Sequence, residues 1–497
     1  MGGGAWCNRV RTGSCVECCG CRVVLKVGFR SVLARGLVLL SQAFDGLGAC
    51  LVCIIGVGPA AFGFVIAGKI MGLSANLVFS LARFFRLYFR AWWDEVIGSR
   101  NDAREFRMTA KRAVVLVFLG WLLPSLIVWN HVGLFLDDVF FPKWKEQAVE
   151  KPVFIIGNAR SGTTWTHRVL AQDTASFTSP CLWEIMFAQS VTWRVLFYRI
   201  GRFDMKFGRP LSRIAKWLDK ILLGQLSLHP MSLWYVEEDE WLLLNIGTCQ
   251  LAALLFPMVD SFHDLIHFDD ALSKTDRGVI MGYYRECIQR HLYATVYITK
   301  QKHFAKTGRH ITKKIKPPRY LAKNPVFTLR LKGIFEVFPD ANVVVMVRDP
   351  SKAIPSMVSY ISSWWAVFAS PTTRYPNKKN LTDMCSLHYT YPVDFRRTEP
   401  AIANRICFMH YELCVADLTK SFSALYAFLG LNMTGGMAAI LDHEAILAQR
   451  YTSAHEYNIQ ELCGQSEQEF IEKHRLVYEL YPGYARRSRR KQSIPSF

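Results

Sequence analysis

The sequence predicts an α/β fold, in which a P-loop-like parallel sheet is flanked by helices and preceded by an N-terminal membrane region. A short apolar strand at 152–156 runs into a glycine-rich loop and then a helix. A β-branched run at 342–347 is typical of a central parallel strand. Long uncharged stretches lie before residue 131 and favour membrane segments.

Composition and sequence order divide the chain into four regions. The 497 residues are 51% hydrophobic and only 20% charged, which excludes an intrinsically disordered protein. We expect a basic, Cys-containing segment at 1–45, a membrane region at 46–130, one catalytic-sized domain at 131–484 and a basic tail at 485–497. We find no internal repeat.

The membrane region contains two candidate spans. Residues 46–68 form a run of 23 without a charge, and 113–130 a run of 18. Either could instead be a buried core helix. The segment 69–112 between them carries nine Lys or Arg against four acids, so the positive-inside rule puts it in the cytosol and the following domain on the lumenal or external side. Within it, 77–96 has the pattern of an interfacial amphipathic helix or of an ordinary solvated helix.

Charge and cysteine content leave several partners open. The net charge of +20 fits a polyanion such as nucleic acid, an anionic membrane surface or a phosphate-bearing cofactor. Seven of the 14 cysteines precede residue 60, where the lack of His and of a second ligand pair argues against zinc, leaving S-acylation or no role. The later seven are expected to be core residues or to form one or two disulfides.

The loop after the first strand has the spacing of a phosphate-binding loop. Gly157 and Gly162 are separated by four residues, and Thr163 and Thr164 follow, so backbone N–H groups at a helix start can hold an anion. Thr163 stands where nucleoside triphosphatases need Lys, which argues against a P-loop kinase or NTPase. The only cation of the loop is Arg160, which could contact a group bonded to a single 5′-phosphate.

A second anion site is expected beyond the strand at 342–347. Ligands of open α/β sheets bind at the carboxyl ends of the strands. Arg348 follows this strand directly, and Ser356 lies one to two turns into the next helix. Together with the loop at 157, these residues predict a ligand with two separate phosphate groups.

These motifs resemble those of sulfotransferases that use 3′-phosphoadenylyl sulfate (PAPS). GNARSGTTW (157–165) is similar to their 5′-phosphosulfate loop, and VRDPSKAIPSM (347–357) to their 3′-phosphate motif. LAKNPVFTL (321–329) resembles the matching segment of tyrosylprotein and bacterial-type members. The resemblance covers about 151–481 and implies the sulfotransferase fold. It departs from soluble cytosolic members, which have Lys in place of Arg160 and a C-terminal basic-glycine motif that this chain lacks.

Carried over position by position, the resemblance implies a donor site and a catalytic set. The residues implied to bind the 5′-phosphosulfate are Arg160, Ser161, Gly162, Thr163, Thr164 and Trp165. Those implied to bind the 3′-phosphate are Arg348 and Ser356, and Tyr411 is implied to border the adenosine. Arg160 and Lys323 are expected to neutralise charge in an in-line displacement, and Glu184 to act as base. An acid of the run 237–240 is the alternative base. No metal is expected.

The sequence therefore predicts a membrane-anchored, Golgi-lumenal enzyme that sulfates a hydroxyl of a glycan, glycolipid or other secretory-pathway acceptor. Its expected partners are a carbohydrate, lipid or protein acceptor and membrane lipid, with no nucleic acid. The alternative is a non-catalytic membrane-bound module that binds a nucleotide or polyanion on the same fold. The acceptor, the number of spans and the oligomeric state are not readable from the sequence.

Overall fold

A five-stranded parallel sheet forms the centre of the domain. The computed structural model describes residues 75–97, 105–223, 231–450 and 458–484. The strands are β1 Val153–Gly157, β2 Phe177–Thr178, β3 Arg319–Lys323, β4 Asn342–Val347 and β5 Ile406–His410. Their order across the sheet is β2-β3-β1-β4-β5, and every pairing is parallel. The predicted parallel sheet is confirmed.

The central strands are buried on both faces, which explains their continuous apolar sequences. All five residues of β1 are buried. Phe154 and Ile156 belong to the larger core on one face, while Val153 and Ile155 belong to the core on the other face. A strand with two covered faces needs apolar residues at both alternating sets of positions.

Helices cover both faces of the sheet. In chain order they are α1 Ala75–Ile97, α2 Ala110–Phe140, α3 Thr163–Leu170, α4 Leu182–Phe187, α5 Val191–Lys206, α6 Pro210–Leu222, α7 His263–Ile266, α8 Phe268–Ala271, α9 Lys274–Thr307, α10 Leu331–Val337, α11 Pro350–Phe368, α12 Lys378–Thr398, α13 Tyr411–Ala416, α14 Leu418–Leu429, α15 Gly435–Arg450, α16 Ile459–Cys463, α17 Glu467–Lys473 and α18 Arg475–Leu480. Short 3₁₀ helices include Asp239–Ile246 and Pro325–Leu329.

The predicted span at 113–130 lies within α2, which is long and apolar enough to cross a membrane. One side of α2 joins the main core through residues such as Leu116, Leu123 and Ile127. At its start, the guanidinium of Arg112 is buried and paired with Glu95 of α1 at 2.7 Å. The helix therefore packs as part of the domain, and the expected domain boundary at 131 falls inside it. The other candidate span, 46–68, lies outside the described residues, as does the tail 485–497.

The cysteines of the described domain are free thiols. They are Cys181, Cys249, Cys287, Cys385, Cys407, Cys414 and Cys463. Of the two expectations for this group, core residues and disulfides, the first is confirmed for the five that are buried. The seven N-terminal cysteines lie outside the described residues.

Candidate active site

The loop between β1 and α3 depends on two glycines and one strained residue. At Gly157 φ is +111°, and a Cβ there would collide with the Met346 carbonyl oxygen of β4. Arg160 has φ +69°, a left-handed conformation that is uncommon for a residue with a side chain. Strain of this kind is concentrated at ligand sites, where the surrounding structure enforces it. The Gly157 amide donates to Thr328 Oγ1 at 2.8 Å, which ties the start of the loop to the segment after β3.

Arg160 and Arg348 connect the loop to the carboxyl end of β4. The Arg160 side chain donates through Nε to Ser356 Oγ of α11 at 3.1 Å. Arg348 donates through Nη1 to the Arg160 carbonyl oxygen at 2.9 Å, and its guanidinium lies 4.9 Å from the ring centroid of Tyr411. The two predicted phosphate motifs, which are far apart in the sequence, thus form one continuous surface.

Gly162 and Tyr411 are in close contact. Gly162 has φ +88° and precedes α3, and a Cβ at this position would lie 2.6 Å from Tyr411 Cδ2. Trp165, on the first turn of α3, packs edge-on against the same ring and donates to Glu444 Oε2 at 3.1 Å. Tyr411 therefore contacts both the loop and, through Arg348, the second motif.

The loop has the donors that a phosphate or sulfate oxygen requires. The hydroxyl of Ser161 is fully buried and has no hydrogen-bond partner among the described residues. Arg348 Nε is likewise buried without a partner in the described part of the chain. Thr163 and Thr164 open α3, whose first backbone N–H groups point out of the helix. Buried donors of this kind fit an anion that accepts hydrogen bonds from them.

Lys323 ends β3, next to β1 in the sheet, and is fully buried. Its ammonium donates to Glu238 Oε1 at 2.7 Å. The guanidinium of Arg160 lies 5.5 Å from the centroid of the Tyr360 ring. Burial, and secondarily the charge of Glu238, raise the pKa of Tyr360, whereas the charge of Arg160 lowers this pKa. These interactions bring Glu238 and Tyr360 together with the predicted cations Lys323 and Arg160.

The other acids of the 237–240 run have different partners. Glu237 pairs with Arg168 of α3 at 2.5 Å. Asp239 is buried and accepts hydrogen bonds from Tyr284, Tyr320 and Asn324. Glu240 is buried against Arg330 at 2.9 Å. The run is therefore not a solvated face, and Glu238 is the member that contacts a predicted catalytic residue.

Glu184 lies at the start of α4, in a different environment. One carboxylate oxygen accepts from the Cys181 backbone amide, which completes a capping box, and the other pairs with Arg194. Both oxygens are thus engaged with α4 and α5. Burial, and secondarily the charge of Lys323, lower the pKa of His167 to about 3, so this buried imidazole near the site is neutral.

Glu238 and Tyr360 were missed as individual site residues. Tyr360 carries a signal that could have been used, because it lies four residues after Ser356 and therefore on the same face of α11. Glu238 is marked only by its membership of the acidic run.

The sequence profile of the sulfotransferase family matches residues 152–435, more than half of the chain. The chain belongs to the sulfotransferase family.

Curated relatives agree with this membership. The sulfotransferase is 22% identical, over 348 residues, to omega-hydroxy-beta-dihydromenaquinone-9 sulfotransferase Stf3 of Mycobacterium bovis and of Mycobacterium tuberculosis. These matches cover 69% of this chain and 77% of each relative.

Solved structures share its fold. The sulfotransferase STF9 of Mycobacterium avium aligns with a TM-score of 0.58 at 18% identity, covering 84% of this chain and 94% of the neighbour. STF1 of M. tuberculosis H37Rv aligns with a TM-score of 0.52 at 16% identity, covering 82% and 96%. The predicted sulfotransferase fold is thereby confirmed.

The enzyme is a sulfotransferase, and transfer of a sulfuryl group is its reaction class. The anion loop, Lys323, Glu238, Arg348 and Tyr411 all lie within the matched residues. Among the described residues, no three His, Cys, Asp or Glu side chains are grouped as metal ligands.

Proposed function

We propose that this sulfotransferase takes its sulfuryl group from PAPS and transfers it to a hydroxyl of a membrane-associated acceptor. The observation that carries the proposal is the joining of the two anion motifs by Arg348, which bonds to the loop carbonyl of Arg160 at 2.9 Å. A donor with phosphate groups at both the 3′ and the 5′ position of one nucleoside would contact both motifs at once. A simple nucleoside diphosphate would contact one.

The donor-binding roles follow from the chemistry of each side chain. The buried Ser161 hydroxyl, Thr163, Thr164 and the amides after Gly162 would hold the 5′-phosphosulfate. Arg348 and Ser356 would hold the 3′-phosphate, with Tyr411 beside the nucleoside and Trp165 supporting its ring. Arg160, which bonds to Ser356, is able to contact both ends of the donor.

In the transfer, the acceptor oxygen forms a bond to sulfur while the bond from sulfur to the 5′-phosphate oxygen breaks. Negative charge grows on that leaving oxygen, and Arg160 and Lys323 would neutralise it. The acceptor hydroxyl loses its proton to a base, for which Glu238 is our first assignment because it contacts Lys323. Glu184 stays the alternative base, although its two oxygens already accept from Arg194 and Cys181.

Glu238→Gln and Glu184→Gln separate the two assignments. Loss of a general base lowers kcat by about 10²- to 10⁴-fold and removes the acidic limb of the pH–rate profile. We expect this result for Glu238→Gln, with donor affinity unchanged. Glu184→Gln should change stability more than the pH profile, and the reverse pattern would assign the base to Glu184.

For the acceptor, a lipid hydroxyl has the most support. The Stf3 relatives are named for omega-hydroxy-beta-dihydromenaquinone-9, a hydroxylated lipid quinone. A glycolipid or a glycan hydroxyl on the membrane meets the same chemical requirement. These relatives are bacterial, and bacteria have no Golgi, so the relatives do not support the expected Golgi-lumenal location. Our proposal therefore keeps the membrane association and assigns no compartment.

Calorimetric titration of the full-length chain with 3′-phosphoadenosine 5′-phosphate tests the donor. We expect tight binding that is lost in Arg348→Ala and in Arg160→Ala, and weak binding of ADP, which has no 3′-phosphate. Arg397→Ala, at an exposed position on α12, is the matched control and should bind normally. Folded protein that binds ADP equally well would refute the proposal.

PAPS that carries a labelled sulfuryl group then tests turnover on pooled hydroxylated lipids and on glycans. Incorporation that is lost in Lys323→Met would support catalysis. Tight nucleotide binding without incorporation into any hydroxyl acceptor would favour the non-catalytic module instead.

A further inference from the structure

Helices α5 and α6 expose an extended apolar surface, which we call the hairpin surface (residues 191–222). On α6 the side chains of Leu211, Ile214, Trp217, Leu218 and Ile221 are 41–61% exposed. On α5 and just after it the exposed ones are Leu196, Ile200, Phe203, Met205 and Phe207. So many exposed large apolar side chains on two neighbouring helices of a folded domain mark an interaction site.

Every exposed formal charge of the hairpin surface is positive. Residues 191–222 contain eight basic and two acidic side chains. Asp204 is buried and caps α6 through the Leu211 and Ser212 amides, while Asp219 accepts from Ser232 and the Leu233 amide. Arg194 is buried with Glu184. The basic residues that remain exposed are Arg199, Arg202, Lys206, Arg209, Arg213, Lys216 and Lys220.

On α6 the apolar and the basic side chains lie on different faces of the helix. The apolar residues recur at spacings of three and four, and Arg213, Lys216 and Lys220 lie between them in the sequence. A helix with a large apolar face and a Lys- and Arg-rich border lies in the plane of a bilayer interface. We infer that the hairpin surface docks on an anionic lipid bilayer, with the apolar side chains among the acyl chains and the cations at the headgroups.

The hairpin surface continues onto α2. Trp193 of α5 stacks on Trp129 of α2 with centroids 4.1 Å apart and donates to its carbonyl oxygen. The exposed apolar side chains of α2 include Val114, Val117, Phe118 and Trp121. The three helices α2, α5 and α6 therefore all expose apolar side chains.

A series of side-chain contacts leads from the hairpin surface towards Glu238, the proposed base. Trp183 of α4 packs against Phe197 of α5 and against Trp234. The next residue, Tyr235, lies under Arg168, which pairs with Glu237 beside Glu238. An amphiphilic acceptor could reach Glu238 from the bilayer along these aromatic side chains; this step rests on the proposed function.

Quenching of Trp217 by brominated lipids tests the docking without requiring catalysis. The full-length protein is mixed with vesicles of brominated phosphatidylcholine containing either about 30% or no phosphatidylglycerol, and the contribution of Trp217 is the difference from Trp217→Phe. We expect quenching with the anionic vesicles that weakens at high salt. Each exposed cation near an anionic surface contributes about fivefold to binding, so Arg213→Gln/Lys216→Gln/Lys220→Gln should need on the order of 100-fold more anionic lipid.

The control variant is Lys302→Gln/Lys306→Gln/Arg309→Gln, which removes three exposed cations at and just after the end of α9. It should behave like the wild type. The docking is refuted if Trp217 is not quenched, or if the control loses as much quenching as the α6 variant. It is also refuted if Trp217 becomes shielded as the protein concentration rises in the absence of vesicles, because a second copy of the chain would then be the occupant. Nucleotide binding is measured on the same samples, so failure of docking and failure of the donor proposal are distinguishable.

Discussion

The contact between Gly162 and Tyr411 supports a prediction of definite size. In Gly162→Ala, the new Cβ meets Tyr411 Cδ2 at 2.6 Å in a backbone that keeps φ near +88°. The left-handed backbone alone costs a residue with a Cβ about 1–2 kcal/mol. Overpacking against a held ring adds about 1–3 kcal/mol. If donor binding requires the native loop, the substitution should weaken nucleotide binding by about 2–5 kcal/mol.

The two contributions separate in a double-mutant cycle with Tyr411→Ala. Without the ring, only the backbone strain remains, so Gly162→Ala should cost about 1–2 kcal/mol in that background. The coupling free energy is then about 1–3 kcal/mol, which corresponds to a roughly 5- to 150-fold difference in Kd between the two backgrounds. Calorimetric titration with 3′-phosphoadenosine 5′-phosphate measures all four proteins.

Gly430→Ala is the matched control for strain. Gly430 also has a positive φ, +61°, at the end of α14, but nothing lies within 4 Å of a Cβ placed there. This variant should lose stability without losing nucleotide affinity. An effect of Gly162→Ala that is equal in the presence and absence of the Tyr411 ring would refute the reasoning, because it would mean that the ring does not support the loop.

Three further predictions concern buried charges. Lys323→Met should lower kcat by about 10²- to 10³-fold with little change in nucleotide Kd, as steady-state kinetics beside calorimetry would measure. Glu240→Gln leaves Arg330 buried without its carboxylate and should lower the free energy of unfolding by about 3–5 kcal/mol in a denaturant titration. Burial raises the pKa of Asp239 to about 6, so between pH 3.8 and 6 the folded state retains a proton that the unfolded state has released. The stability that this group contributes is complete below pH 3.8 and falls by roughly 3 kcal/mol as the pH rises through 6. Asp239→Asn should abolish this fall, as measured by unfolding at a series of pH values.

The sheet and the anion loop could be predicted because their signals are local. A strand buried on both faces requires a continuous apolar run, and Gly157 and Gly162 are required by backbone conformations that a side chain would oppose. Arg348 could be located in the same way, since the carboxyl end of a parallel strand is defined by the strand itself.

The acidic run could not be resolved from sequence because its partners are distant. Glu237, Glu238, Asp239 and Glu240 look equivalent in the sequence, yet each meets a different partner contributed by other segments, among them Arg168, Lys323, Tyr320 and Arg330. Similarly, hydropathy cannot separate a membrane span from a helix with one buried face. Helix α2 has the composition of a membrane span, yet the side of the helix that carries Leu116 packs in the core.

The distribution of positive charge distinguishes between the partners that the net charge left open. Around the anion motifs, Arg160, Lys323 and Arg348 supply three cations, and a phosphate also takes hydrogen bonds from backbone amides, so a nucleotide accounts for little of the +20. The hairpin surface holds seven exposed cations with aliphatic Leu211, Ile214, Leu218 and Ile221 among them. A nucleic acid offers phosphates to the cations but no apolar volume to these aliphatic side chains, which have no face for base stacking. An anionic bilayer offers both, and this is why the apolar residues, rather than the charge, favour lipid over nucleic acid.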